Sequence, residues 1–262
     1  MVATKKPQGT VTRGTTNPNR LRRVDRYIAA QSIVRAPGCV VVDLGFGASP
    51  ITAVELRERL AKKNPSVRVV GIEIERERVD RGLAVAKPGL DFMHGGFEIP
   101  LPAGLDSADV IRAFNVLRQY DESEVPAAWA TMQARLSAAG ILVEGTCDEI
   151  GRLSSWITLN RERPLTFTIS LKLAGLELPS KVAERLPKAL IHHNVAGERI
   201  HSWLAAIDKA WLTNTGLGAF SPQQRWLAAC EQLLGEGWPI EVDRKRWRLG
   251  EVTVDWISVK PD

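Results

Sequence analysis

The chain of 262 residues has few cysteines, few histidines and no long apolar run. Its three cysteines, Cys39, Cys147 and Cys230, are far apart and form no C-x-x-C pair, which argues against a disulfide scaffold or a zinc ribbon. No apolar run approaches the roughly 18 residues of a membrane span, and the polar N-terminus lacks the apolar stretch of a secretory signal. These absences predict a cytoplasmic protein that does not bind membranes.

Negative charge is scarce at the N-terminus. Residues 1–26 contain seven lysines and arginines against Asp25 alone, a net charge of +6, whereas the whole chain has +5. The first twenty residues are also poor in apolar side chains and contain several Gly, Thr, Asn and Pro, which predicts a flexible basic arm. Such an arm can bind the phosphates of RNA, remain solvated or cover a ligand site.

The most informative stretch is an apolar run followed by a glycine-rich turn. Residues 40–44 read Val-Val-Val-Asp-Leu, and Gly45-Phe46-Gly47 follow directly. A helix is predicted next, with Ser49 as its cap and Pro50 at its first position. A strand, a glycine turn and a helix bring backbone close to a nucleotide-like ligand, because glycine has no Cβ to block the approach.

Two classes of cofactor fit such a turn. The dinucleotide fingerprint G-x-G-x-x-G is broken because Pro50 stands at its third glycine, which disfavours an NAD-dependent dehydrogenase. The stretch Asp43-Leu44-Gly45-Phe46-Gly47 instead resembles the first motif of class I S-adenosylmethionine-dependent methyltransferases, an acidic residue followed by x-G-x-G. Ser49 stands where that family usually has a further glycine.

Three later segments resemble further motifs of this family. Residues 70–79 resemble the second motif, in which the carboxylate of Glu73 ends a strand and accepts the ribose hydroxyls. The third-strand region, 91–102, has Gly96 where the family often has an acid that binds adenine, and Phe97 is either an adenine-stacking or a core aromatic. In the fourth, Asn115 follows a strand and is expected near the transferred methyl group.

The resemblance implies an α/β fold, a Rossmann-like, doubly wound, mostly parallel seven-stranded sheet whose last strand is antiparallel. A helical insert is predicted between strands six and seven, which are residues 164–173 and 251–259. The expected organisation is a basic arm, a cofactor-binding core, a helical lid and a closing strand, over residues 1–20, 21–178, 179–240 and 241–262.

The implied activity is methyl transfer from S-adenosylmethionine. The residues predicted to bind the cofactor are Asp43, Gly45, Phe46, Gly47, Glu73, Gly96, Phe97 and Asn115. No catalytic base and no metal site is assigned, and Glu144, Asp148 and Glu149 are base candidates by position only. The acceptor is predicted to be a small molecule, because no motif specific for nucleic acid is complete. RNA methylation through the basic arm and a non-catalytic cofactor-binding protein are the alternatives.

Two features remain open at this point. Thr146-Cys147 follows the fifth predicted strand, as in RNA 5-methylcytosine enzymes, but those enzymes also have a Pro-Cys that is missing here. Seven of the eight tryptophans lie from Trp156 onward, either as core or lid packing or as a base-stacking surface.

Overall fold

The protein is described here by a computed structural model that covers residues 7–262. The strands are β1 Val40–Leu44, β2 Arg68–Glu73, β3 Leu90–His94, β4 Ala108–Phe114, β5 Leu136–Cys147, β6 Leu153–Leu159, β7 Pro164–Leu171 and β8 Glu251–Asp255. The helices are α1 Arg22–Ala30, α2 Ile51–Ala61, α3 Arg76–Leu83, α4 Val125–Gln133, α5 Lys188–Ile191, α6 Arg199–Thr213, α7 Pro222–Gly235 and α8 Arg244–Trp247. The strand order is β3-β2-β1-β4-β5-β6-β7-β8.

The described residues divide into two compact units. The first comprises the described residues up to Glu144, together with Glu149–Gly151 and Leu159–Arg163. The second comprises Gly145–Asp148, Arg152–Thr158 and Pro164–Asp262. The boundaries predicted for the core and the helical lid stay a prediction.

Parallel strands form the sheet of the first unit. Strand β1 pairs in parallel with β2 on one side and with β4 on the other, and β2 pairs in parallel with β3. All five residues of β1 are buried, as are five of the six in β2, which is why they read as continuous apolar runs without alternation. The order β3-β2-β1-β4 reverses between β1 and β4. This reversal is the topological switch point at which open α/β sheets bind ligands.

The sheet has eight strands in the described residues, so the prediction of seven is wrong by one. The additional strand is β6, in which every residue after Leu153 is buried. Its Ser-Ser-Trp-Ile-Thr sequence shows no apolar–polar alternation because both faces are covered. The predicted antiparallel end of the sheet is confirmed, since β7 and β8 pair antiparallel.

Helices follow β7 in the second unit, as the sequence predicts. Helices α6 and α7 both lie within residues 179–240, the segment predicted as helical. Their tryptophans Trp203, Trp211 and Trp226 are fully buried, as are Trp156 and Trp247. These five indoles therefore form core packing and are inaccessible to nucleic-acid bases.

A membrane crossing requires a long, apolar helix. Among residues 7–262, no helix combines the necessary length and apolar character.

Candidate functional site

A cleft opens in the first unit where its parallel strands end. Its walls come from four strand ends: Gly45 after β1, Glu73 at the end of β2, Gly96 and Phe97 after β3, and Val116 after β4. These are the carboxyl ends of strands on both sides of the switch point, the place where α/β sheets bind nucleotide-like ligands. Four of the eight predicted site residues are thus brought together.

The glycine loop after β1 has the conformation that its sequence requires. Gly45 and Gly47 have φ values of +71° and +85°, in the left-handed region that favours glycine. The Gly45 amide donates to the Ile72 carbonyl at 2.8 Å, which ties the loop to β2. Helix α2 begins at Ile51 with Pro50 as its cap residue and no side-chain cap, so the predicted capping role of Ser49 is wrong.

Glu73 is oriented by backbone groups on both sides. Its Oε2 accepts the Gly47 amide and its Oε1 accepts the Ile74 amide, both at 2.9 Å. The guanidinium of Arg78 lies 3.7 Å from the same carboxylate, and the Glu73 side chain is 1% exposed. Each carboxylate oxygen has a second lone pair, so Glu73 retains the capacity to accept two hydroxyl groups from a ligand in the cleft.

Another part of the cleft is lined by the Gly96 backbone and by the aromatic rings of Phe97 and Tyr120. A Cβ at Gly96 would lie 1.9 Å from the Gln8 carbonyl oxygen, so the chain passes here at a distance that only glycine permits. The rings of Phe97 and Tyr120 are 5.3 Å apart and tilted by 57°. The loop is held by Ile99, a β-branched residue at φ +46°, whose strained backbone is typical of functional loops.

The chain's own N-terminal segment, residues 8–14, which we call the arm segment, lies across the cleft and forms part of its lining. The Gln8 carbonyl accepts the Phe97 amide and the Gly14 carbonyl accepts the Ala48 amide, each at 2.9 Å. The Thr10 amide donates to the Tyr120 hydroxyl at 2.6 Å. The cavity that remains is about 20 Å³, which is room for roughly one water molecule.

Asp43 is predicted to contact the cofactor, but the structure places its carboxylate in a buried ion-pair network. Its Oδ1 accepts Arg112 Nε at 3.0 Å and its Oδ2 accepts the Thr52 hydroxyl at 2.8 Å. Arg112 also pairs with Asp25 of helix α1. Asp43 and Arg112 are register partners in β1 and β4, so these contacts join adjacent strands in the interior.

Burial and the ion pairs act in opposite directions on this network. Desolvation raises the pKa of Asp25, and the positive charges of Arg112 and Arg59 offset part of that rise. The two carboxylates more than compensate for the burial of Arg112, so the pKa of its guanidinium is raised as well. Arg112 is therefore a permanent cation between two acids.

Two further predicted site residues lie beside the cleft. The Phe46 ring packs edge-on against Phe92 at 5.3 Å, in the apolar layer next to β2. Asn115 follows β4 in the left-handed region at φ +60°, which asparagine tolerates better than most residues. Asn115 thereby turns the chain so that Val116 lines the cleft.

Sequence reasoning missed the contributions of Tyr120, Glu98 and Arg78. The carboxylate of Glu98 accepts the Gly96 amide at 2.9 Å and the Gln8 amide at 2.8 Å, and Arg78 donates to the Thr12 carbonyl at 3.0 Å. Tyr120 is one of two tyrosines in the chain, and this scarcity is the only signal that could have drawn attention to it.

The remaining candidates are used in other ways. Cys147 is fully buried, and the neighbouring Thr146 hydroxyl donates to the Arg185 carbonyl. Asp148 accepts the Arg152 amide at 2.6 Å in the turn before β6. Burial raises the pKa of Glu144 to about 8, and the influence of the nearby Trp129 indole lowers it in part. In the described part of the chain, no group of three or more His, Cys, Asp or Glu side chains could hold a metal ion.

Among known proteins, only solved structures match this chain, and they do so at low sequence identity. No protein-family model and no curated protein matches the chain. Solved structures that match include magnesium protoporphyrin IX methyltransferase from Synechocystis with bound S-adenosylhomocysteine, at 16% identity over 48% of this chain and 54% of that one, with a TM-score of 0.38. A TehB-like SAM-dependent methyltransferase from Corynebacterium glutamicum matches at 21% identity over 49% and 61%, with a TM-score of 0.35.

The matches also include a protein described as a pericyclic reaction enzyme. It is 17% identical over 47% of this chain and 30% of that one, with a TM-score of 0.37. The chain spans about half the length of the methyltransferase structures it matches. Similarity at this distance does not define a reaction or a substrate.

Proposed function

We propose that the protein is an S-adenosylmethionine-dependent methyltransferase that acts on a small-molecule acceptor. The observation that carries the proposal is the meeting of Gly45, Glu73, Gly96 and Phe97 in one cleft at the switch point of the sheet. These residues come from three separate motifs that resemble those of class I methyltransferases. Their convergence is what a shared ligand requires.

The residues of the cleft suit this cofactor chemically. The Glu73 carboxylate, oriented by two amides, is a ready acceptor for a pair of ribose hydroxyls. Phe97 offers an aromatic ring and a backbone amide to an adenine base. The Ala48 amide, at the loop before helix α2, is a donor suited to the carboxylate of the methionine part.

Methyl transfer demands little covalent chemistry from the protein. When bound, S-adenosylmethionine supplies an electrophilic methyl group on its sulfonium. The chain then has to align an acceptor atom with that methyl group and exclude water. Asn115, at the end of β4, is the residue we propose to lie nearest the methyl group. We assign no general base, since a strongly nucleophilic acceptor needs none.

RNA methylation receives less support from the arginines near the N-terminus. Arg20 donates to the Thr15 carbonyl, and Arg23 donates to the Gly151 carbonyl at 3.0 Å. Both guanidinium groups are therefore engaged within the protein. Lys5 and Lys6 of the predicted basic arm lie outside the described residues.

A second candidate function is that of a non-catalytic cofactor-binding protein. The specific observation in its favour is the arm segment, which is hydrogen-bonded along the cleft that we propose for the cofactor. Both functions require the cleft to bind the cofactor, so binding alone does not separate them. Only the methyltransferase would transfer the methyl group to an acceptor.

Isothermal titration calorimetry with S-adenosylmethionine, S-adenosylhomocysteine and NAD tests the proposal. We expect micromolar binding of S-adenosylhomocysteine, no binding of NAD, and loss of binding in Glu73→Gln. The control is Glu77→Gln, which changes an exposed carboxylate of helix α3 outside the predicted ribose contact. Absence of binding by either sulfur ligand, to the wild type and to variants with an opened arm, would overturn the proposal. Transfer of labelled methyl to a metabolite pool or to RNA then distinguishes the acceptor classes.

A further inference from the structure

We infer that the arm segment, residues 8–14, is a built-in competitor of the cofactor, so that binding requires its displacement. The inference rests on the proposed function, because the competing ligand is S-adenosylmethionine. Its basis is the pattern of hydrogen bonds between the arm and the cleft, which occupies the groups that a ligand would use.

The arm satisfies donors of the cleft with its backbone carbonyls. Three carbonyls accept from three different walls: that of Gln8 from the Phe97 amide, that of Thr12 from Arg78, and that of Gly14 from the Ala48 amide. Phe97 and Arg78 are buried, and buried donors without partners are costly, so their bonds to the arm substitute for water or for a ligand. A ligand that enters the cleft has to replace all three.

The arm also satisfies acceptors. The Gln8 amide donates to the Glu98 carboxylate at 2.8 Å, and the Thr10 amide donates to the Tyr120 hydroxyl at 2.6 Å. In the other direction, the arm accepts one further hydrogen bond, from the Gln119 side chain to the Val11 carbonyl at 3.2 Å. Because almost every contact is made by backbone atoms, the low apolar content of the arm does not prevent it from docking.

Two glycines allow the arm to lie this close. Gly14 is buried with φ +72°, and a Cβ there would lie 2.6 Å from the Arg78 guanidinium carbon. Its carbonyl oxygen lies 2.8 Å from the position of a Cβ on Gly47 in the glycine loop. Gly9 has φ +128°, and its Cβ would lie 2.9 Å from the Tyr120 hydroxyl. Alanine at either position is disfavoured in the docked conformation and is unrestricted in an undocked arm. The two substitutions therefore open the cleft without changing its walls.

The competition has a measurable consequence for affinity. The apparent dissociation constant equals the intrinsic one divided by the fraction of molecules with an open cleft. A non-glycine residue in a left-handed conformation shifts the docking equilibrium by about fivefold to thirtyfold. We expect Gly9→Ala and Gly14→Ala each to tighten S-adenosylhomocysteine binding by such a factor.

The experiment combines calorimetry with limited trypsin digestion of the full chain. Arg13 is exposed, but the carbonyls of Thr12 and Gly14 on either side of it are hydrogen-bonded to the cleft, so we expect cleavage after Arg13 to require the arm to leave. The matched control is Gly38→Ala, a glycine at φ +69° with no atom within 4 Å of its Cβ position, far from the arm in sequence. We expect Gly9→Ala to be cleaved faster and to bind S-adenosylhomocysteine more tightly than the wild type. Gly38→Ala should change neither the cleavage rate nor the affinity. Addition of S-adenosylhomocysteine should accelerate cleavage of the wild type.

The outcomes separate this inference from the proposed function. Measurable S-adenosylhomocysteine binding that is equal in the wild type and in Gly9→Ala, despite faster cleavage of the variant, overturns the competition and leaves the function intact. Slower cleavage with S-adenosylhomocysteine overturns it too, because the arm would then close over the ligand. Unchanged cleavage in Gly9→Ala contradicts the docked arm itself. Absence of binding to the opened Gly9→Ala and Gly14→Ala variants overturns both proposals.

Discussion

Replacing Glu144 by glutamine is expected to stabilise the protein at neutral pH. Glu144 lies in β5 with 1% of its surface exposed, and burial raises its pKa from the ordinary value of 4.5 to about 8. The nearby Trp129 indole favours the charged form but does not compensate for the lost hydration. The native protein therefore keeps Glu144 protonated under conditions in which the unfolded chain ionises it.

The direction of the pH dependence follows from these two states. Between the two pKa values the native protein binds one proton more than the unfolded chain, so the free energy of unfolding falls as the pH rises. The slope is about 1.4 kcal/mol per pH unit. From pH 4.5 to pH 7 the wild type loses about 3 kcal/mol through this group alone, and the loss levels off above about pH 8.

Glutamine has nearly the same shape and does not titrate. Glu144→Gln should therefore match the wild type near pH 5 and exceed it by about 3 kcal/mol at pH 7. Urea denaturation followed by far-ultraviolet circular dichroism at several pH values measures both. The control is Glu149→Gln, an exposed carboxylate nearby, for which parallel curves are expected. A constant difference between Glu144→Gln and the wild type from pH 5 to pH 8 would refute the reasoning.

Three other variants test the interior. Arg112→Met removes the cation that Asp43 pairs with and leaves the buried Asp25 with Arg59 alone, and it should cost about 3–5 kcal/mol in urea denaturation. Asp43→Asn should lower the melting temperature and leave the affinity for S-adenosylhomocysteine unchanged. Loss of affinity in the folded variant would show instead that Asp43 contacts the cofactor. The Trp211 indole donates to the Glu177 carbonyl at 2.9 Å and stacks with Arg225. Trp211→Ala should therefore lower the free energy of unfolding of the second unit by about 3–5 kcal/mol, as measured by calorimetry. A loss below about 1 kcal/mol for Arg112→Met or Trp211→Ala would contradict the assigned role.

The parts of the fold that could be predicted are those with strong local signals. Strands β1 and β2 are valine-rich runs, and the glycine loop follows β1 where its motif predicts it. The carboxylate of Glu73 ends β2, so its position at the cleft follows from the geometry of parallel strands. Each of these inferences depends on residues close together in the sequence.

The parts that escaped prediction depend on distant partners. Arg112 reads as an interruption of a buried strand, and its partners Asp43 and Asp25 are 69 and 87 residues away. Strand β6 lacks alternation because it is buried on both faces. The arm segment has the composition of a flexible tail, yet its backbone is hydrogen-bonded along the cleft, and composition carries no information about backbone bonds.

The distribution of tryptophan between the two units has a practical consequence. Trp129 belongs to the first unit, and the other seven tryptophans of the sequence belong to the second. Intrinsic tryptophan fluorescence therefore reports mainly on the second unit. The aromatic side chains at the cleft are instead Phe97 and Tyr120. A ligand screen based on tryptophan emission would miss binding in the cleft, whereas comparing emission with circular dichroism during unfolding would resolve whether the two units melt together.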